Sequence, residues 1–189
     1  NSTGIFSTLA PGIYDVTANN SFACGTSATV SVTITANNIW TTTWSEGAPN
    51  ANQDLVFAND YTSTGDLSGC SCVVNSGVKI TINHTLTITN EVAVNSSAGT
   101  ELTFENNASL VQINDAAVNT GTIIYKRTTP SLIETDYTYW SSPVAGQSLA
   151  ISPEYDYGTF YSFDSSIDDW APESPATPMS EGKGYIIRG

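Results

Sequence analysis

Short runs of alternating apolar and hydroxyl-bearing residues recur along the middle of this chain, each closed by Asn, Gly or Ser. Residues 86–92 (LTITNEV) match residues 102–108 (LTFENNA) at an offset of 16, and Val78, Val94 and Leu110 continue that spacing. Alternation with period two sends one set of side chains inward and the other outward, the pattern of a half-buried strand. A near-constant repeat of such strands predicts a parallel β-solenoid, in which each coil buries its apolar row against its neighbours. The rival reading of the same runs is a plain antiparallel sandwich. In the solenoid reading Val78, Ile80, Ile82, Leu86, Ile88, Val92, Val94, Leu102, Phe104, Leu110 and Ile113 stack inward. Thr81, Thr87, Thr89 and Thr103 face outward, and Asn90 and Asn106 take matching corners, where Asn tolerates left-handed backbone.

Helical patterning is weak throughout. Polarity comes from 26 Thr, 23 Ser and 16 Asn rather than from charge, and only 12% of residues are charged. Thr on the polar side suits a pleated surface. The chain therefore reads as all-β, with three textures. Residues 1–37 hold the Pro11-Gly12 turn signal and two strands, around 13–18 and 28–35, that pair as the last hairpin of an Ig-like repeat. Two strands are too few to close a core alone. Residues 38–127 form the solenoid. Residues 128–189 hold 10 of the 19 aromatic residues and six of the eight prolines, and read as a β-rich aromatic module capping the solenoid's end. The chain opens in the middle of a pattern, as expected of a piece of a longer protein.

Five basic against 18 acidic side chains give a net charge of −13. That excludes neutralising a row of phosphates and disfavours an anionic membrane surface, so neither nucleic acid nor membrane insertion is expected. No run of 18 apolar residues exists to span a bilayer. Groups for catalysis are few. His84, the single histidine, lacks an adjacent nucleophile motif and reads as a turn residue. Glu154, Asp168, Asp169 and Glu173 supply carboxylates of the kind glycosidases pair. A polysaccharide lyase would need a base, for which Lys79, Lys126 and Arg127 are the candidates. We expect no enzyme activity.

Asp164, Asp168 and Asp169 form the densest acidic loop, a calcium site or a solvated turn. No other cofactor is suggested. Trp140 and Trp170, with neighbouring tyrosines, read either as core anchors or as a platform for a glycan. Cys70 and Cys72 are two apart, either a strained disulfide or two small buried thiols, and Cys24 has no evident partner. Few lysines and many Thr, Ser and Asn fit an extracellular protein.

Residues 125–130 (YKRTTP), 136–144 (DYTYWSSPV), 160–164 (FYSFD) and 179–187 (MSEGKGYII) resemble a module of large secreted surface proteins of Flavobacterium-like Bacteroidetes. Residues 70–77 (CSCVVNSG) with 101–110 (ELTFENNASL) do so too. Phe6, Leu9, Gly12, Ile13, Tyr14 and Cys24 are similar to the end of SprB-type adhesin repeats. The resemblance implies export by the type IX secretion machinery, display on the bacterial cell surface, and a non-catalytic role in adhesion or gliding motility. It implies an extracellular surface or glycan as partner and brings no catalytic residue.

Overall fold

A computed structural model describes residues 9–17, 28–131, 133, 135–150 and 159–188. Every regular element among them is a β-strand. The chain separates into two compact units, Asn1–Lys126 and Arg127–Gly189.

In the first unit, β1 (Gly12–Val16) and β2 (Val30–Ile34) form an antiparallel hairpin running from Gly12 opposite Ile34 to Val16 opposite Val30. Strand alternation puts Tyr14, Val16, Val30 and Val32 on one side of it, and Val30 and Val32 stay 60% and 42% exposed.

The chain then winds into a parallel β-solenoid with three faces. The first face stacks β3 (Ala36–Trp40), β4 (Gln53–Phe57), β7 (Cys72–Val74) and β10 (Val92–Val94). A bridge from Ala93 to Thr120 adds a fifth rung. The second face stacks β5 (Tyr61–Thr62), β8 (Lys79–Ile82), β11 (Glu101–Phe104) and β13 (Ile124–Tyr125). The third stacks β6 (Leu67–Gly69), β9 (Thr85–Ile88) and β12 (Ser109–Gln112). Inward side chains form columns: Leu55–Cys72–Val92, Phe57–Val74–Val94, Ile80–Leu102 and Leu67–Leu86–Leu110. This apolar interior is the unit's core.

The solenoid holds, but the 16-residue register does not. Leu86 stacks on Leu67 and Leu110, whereas Leu102 stacks on Ile80, on another face. Rungs recur at 17 residues from Leu55 to Cys72, 22 from Ile80 to Leu102 and 27 from Ala93 to Thr120. Residues 86–92 and 102–108 look alike because each is a strand followed by a corner, not because they share a face. Ile113 is 59% exposed, and Leu110 is only partly buried. On the outside, Thr62, Thr81 and Thr103 form a ladder, so Thr81 continues into Thr103 and Thr87 does not. Thr103 is itself buried. Neither Asn90 nor Asn106 takes the left-handed corner. Asn107 does, with φ 70°.

Side-chain oxygens take over from the backbone ladder at the corners. Asp60 accepts the Lys79 amide at 2.8 Å, Asp66 accepts that of Thr85 at 2.9 Å, and Ser63 that of Asn83 at 2.8 Å. Asp54 accepts hydroxyls from both Thr35 and Ser71, tying three rungs together. Such partners matter because the strand ends would otherwise leave these amides without a protein partner. Aromatic rings close both ends of the core. Trp40, Trp44 and Tyr61 gather around Phe57, with Trp40 4.7 Å from Tyr61 and Trp44 5.3 Å from Phe57 between ring centroids. At the other end Tyr125 stacks on Phe104 at 5.2 Å, and its hydroxyl accepts the Leu110 amide at 3.2 Å. The third-face column Gly69–Ile88 ends in Gln112, whose side chain exchanges two 2.8 Å hydrogen bonds with Asn119. A polar side chain there terminates the apolar column.

The second unit is one antiparallel sheet, ordered β14 (Tyr137–Trp140), β17 (Tyr185–Arg188), β15 (Thr159–Asp164) and β16 (Asp169–Glu173). Leu149, Phe160, Met179, Tyr185 and Ile187 form its core, with Trp140 packed against them.

Candidate functional site

Register fixes which way each ring of this sheet points. Trp140 lies opposite Tyr185, and Tyr185 opposite Ser162. This row belongs to the covered face, where Tyr185 and Ser162 are 2% exposed. The neighbouring row runs Tyr139–Ile186–Tyr161–Pro172 on the other face. Tyr137, beside Arg188, and Phe163, beside Trp170, flank that row on the same face. Tyr137, Tyr139, Tyr161 and Phe163 thus flank Ile186 on the two adjacent strands, and Trp170 stands beyond Phe163 on the edge strand. Tyr139 is 78% exposed, Tyr137, Phe163 and Trp170 are 40–47% exposed, and Ile186 beneath them is only 9% exposed. Phe163 and Trp170 meet edge to face at 5.5 Å, an arrangement that holds both rings in place. The Arg188 guanidinium lies over the Tyr137 ring, 6.0 Å from its centroid.

Trp140 and Trp170 are therefore not one platform. They stand on opposite faces and on opposite edge strands of the sheet. Trp140 is a core anchor, and its indole N–H is buried without a hydrogen-bond partner among the described residues. Trp140→Phe should therefore leave the thermal midpoint unchanged or raise it, while Trp140→Ala should cost about 3 kcal/mol. Thermal melts of the two variants check this. Trp170 belongs to the open face. The alternation in residues 137–140 (YTYW) and 160–163 (FYSF) was the signal for Tyr137, Tyr139, Tyr161 and Phe163, but both parities carry rings, so the signal did not choose a face.

Asp164 and Asp169 face each other across the hairpin, and Asp168 between them is left-handed at φ 52°. Asp164 accepts both the hydroxyl and the amide of Ser166, at 2.7 and 2.9 Å, which hold its carboxyl below the ordinary carboxylate range. Among the described residues no three His, Cys, Asp or Glu side chains gather as a metal site. Asp169 and Glu173 sit four residues apart on β16, about 13 Å. Paired glycosidase carboxyls stand within about 5–10 Å. Glu173 accepts the Ser162 hydroxyl at 2.7 Å and pairs with Lys183 at 3.5 Å. Glu154, Tyr155 and Tyr157 lie outside the described residues, as does Cys24.

On the solenoid, Lys79 pairs with Glu101 at 2.9 Å, and that hydrogen bond raises its pKa above the ordinary value. Lys126 pairs with Glu105 at 2.7 Å. His84 is an exposed corner residue whose Nδ1 lies 3.4 Å from the buried Ser63 hydroxyl.

Cys70 and Cys72 are free thiols rather than a disulfide. Cys72 points into the Leu55–Val92 column, and burial pushes its thiol up to about 12. Cys70 sits at the corner, where Asn90 Nδ2 donates to its sulfur at 3.3 Å, and burial raises its pKa too. Alkylation needs thiolate and access. Iodoacetamide at pH 8 should therefore leave Cys72 unmodified in the native chain and modify it after denaturation, as read by peptide mass mapping. Equal native labelling of Cys70 and Cys72 would contradict the buried column.

Among the described residues no helix is long and apolar enough to cross a membrane. Comparison with curated proteins and with solved structures gave no match. A family model described as "Domain of unknown function (DUF8693)" matches residues 31–189, which takes in all of the solenoid and the aromatic sheet. The chain belongs to the DUF8693 family.

Proposed function

We propose that this chain is a non-catalytic segment of a secreted bacterial cell-surface protein, in which the solenoid spaces and presents and the aromatic sheet attaches. The observation that carries the reading is the closed three-faced solenoid. Its side-chain columns run along the axis, and its rungs are joined by backbone hydrogen bonds parallel to that axis, such as Leu55 to Ser71 and Cys72 to Glu91. Stacked coils of this kind resist bending better than a chain of linked domains, because each rung contacts its neighbours on all three faces.

Three further features support it. The half-exposed apolar side of the β1–β2 hairpin is what the end of an Ig-like repeat offers to the rest of its sandwich. A surface dressed in Thr, Ser and Asn suits an extracellular shaft. The similarity of residues 125–187 to modules of type IX-secreted surface proteins suggests that route of export, with adhesion or gliding motility as the process served.

The experiment is surface labelling of the cells that make the protein. An antibody raised against this chain should stain intact cells, external protease should remove the signal, and disabling the type IX machinery should retain the antigen inside. Staining confined to lysed cells would overturn the proposal. A second reading, a carbohydrate-binding module, is favoured by the open aromatic face.

A further inference from the structure

We propose that the open face of the Arg127–Gly189 sheet binds an uncharged polysaccharide. This deepens the attachment role given to that sheet above and rests on it. Tyr139 and Tyr161 share one register row with Ile186 between them. Two strand spacings separate them by about 10 Å, close to two sugar units of an extended chain. Trp170 and Phe163 extend the ring surface toward the fourth strand. Exposed rings on a sheet can stack on the apolar C–H faces of pyranoses at little entropic cost, since the strands already fix their backbones. The Tyr137, Tyr139 and Tyr161 hydroxyls, the Thr159 hydroxyl and the Arg188 guanidinium share the face and can hydrogen-bond sugar hydroxyls.

Size and charge select this occupant over others. The ring surface is about 14 Å across in each direction, about 200 Å². A stable protein interface buries about 800 Å² per partner. A second copy or a folded protein therefore has too little to hold, whereas a few sugar units fill the face. Residues 129–189 carry 2 basic and 9 acidic side chains, a net −7, which repels acidic polysaccharides. A cationic ligand is opposed at the face itself, because Arg188 already occupies the Tyr137 ring.

The test is native affinity electrophoresis of the full chain. The gels contain hydroxyethyl cellulose, mixed-linkage glucan, glucomannan, galactomannan, laminarin or soluble starch, with alginate and hyaluronan as acidic controls. At least one neutral polymer should retard the chain, and neither acidic one should. Tyr139→Ala and Trp170→Ala should each weaken retardation about tenfold. Both residues are exposed, so the variants should melt with the parent chain, and a variant that does not is replaced by Tyr139→Ser or Trp170→Leu. Migration unchanged in every neutral gel, retardation that survives both substitutions, retardation by the acidic polymers alone, or a Tyr139-dependent dimer in sedimentation would each overturn the proposal. Surface labelling reads location alone, so a chain that reaches the surface yet ignores all the neutral polymers sinks this inference and leaves the presentation role standing.

Discussion

Gly121→Ala is expected to cost about 3 kcal/mol or more. Two penalties combine there. Gly121 has φ 83°, where an L side chain is strained, and an added Cβ would fall 2.0 Å from the Val94 carbonyl oxygen. That oxygen belongs to β10, and the bridge between Ala93 and Thr120 holds the last rung against the same strand. Neither side can retreat without breaking the 2.9 Å bond from the Val94 amide to the Thr120 carbonyl. Gly77 and Gly99 separate the two penalties. Their φ values are 76° and 83°, but nothing lies within 4 Å of an added Cβ. Gly77→Ala and Gly99→Ala should therefore cost about 1 kcal/mol each, the backbone contribution alone. Urea denaturation of the three variants, followed by circular dichroism, measures the difference. Equal losses at all three positions would show that the last rung does not press on β10.

Phe104→Ala is expected to cost about 3–5 kcal/mol. Phe104 is fully buried, sits beside Ile82 in register, and carries Tyr125 as a stacked ring at 5.2 Å. Truncation would leave a cavity in the last complete coil and remove the surface on which Tyr125 rests. Tyr125 in turn accepts the amide of Leu110, on a different face, so two faces loosen together. Against a typical total of about 5–15 kcal/mol, a loss of that size should shift most of the denaturation curve. A loss below about 1 kcal/mol would mean that Phe104 does not close the core. Lys79→Ala, by contrast, removes only an exposed ion pair and should leave the curve where it is.

The solenoid was legible because alternation and corner residues are local. The alternation points Val78, Ile80, Ile82, Leu86, Ile88, Val92, Val94, Leu102 and Phe104 inward, and all are buried. The lower coil was less legible. Leu55, Phe57, Leu67, Cys72 and Val74 are equally core, yet Leu67 stands alone between Asp66 and Ser68 and Cys72 follows a Gly-Cys-Ser break. Gly69 shows why. It stands in an inward column where a Cβ would meet Leu55 at 2.6 Å, so a gap in the apolar pattern is what lets Leu55 and Ile88 fill the layer. At the sheet, the sequence leaves Trp170 open as either a core anchor or a surface ring. Trp140 was not separable from it by residue type, because size and polarity are the same for both.

What the sequence determined alone is the class of the molecule: short strands that bury alternate side chains, joined by polar corners. These follow from steric and burial preferences acting over a few residues. What only the tertiary structure decided is registration. Corners absorb insertions between strands, so rungs recur at 17 residues in one coil and 27 in another and no fixed spacing marks the true neighbour. The aromatic sheet poses the same difficulty across its thickness. Both parities of its strands are rich in rings, and only packing against Leu149 and Met179 determined which set is buried and which stays exposed.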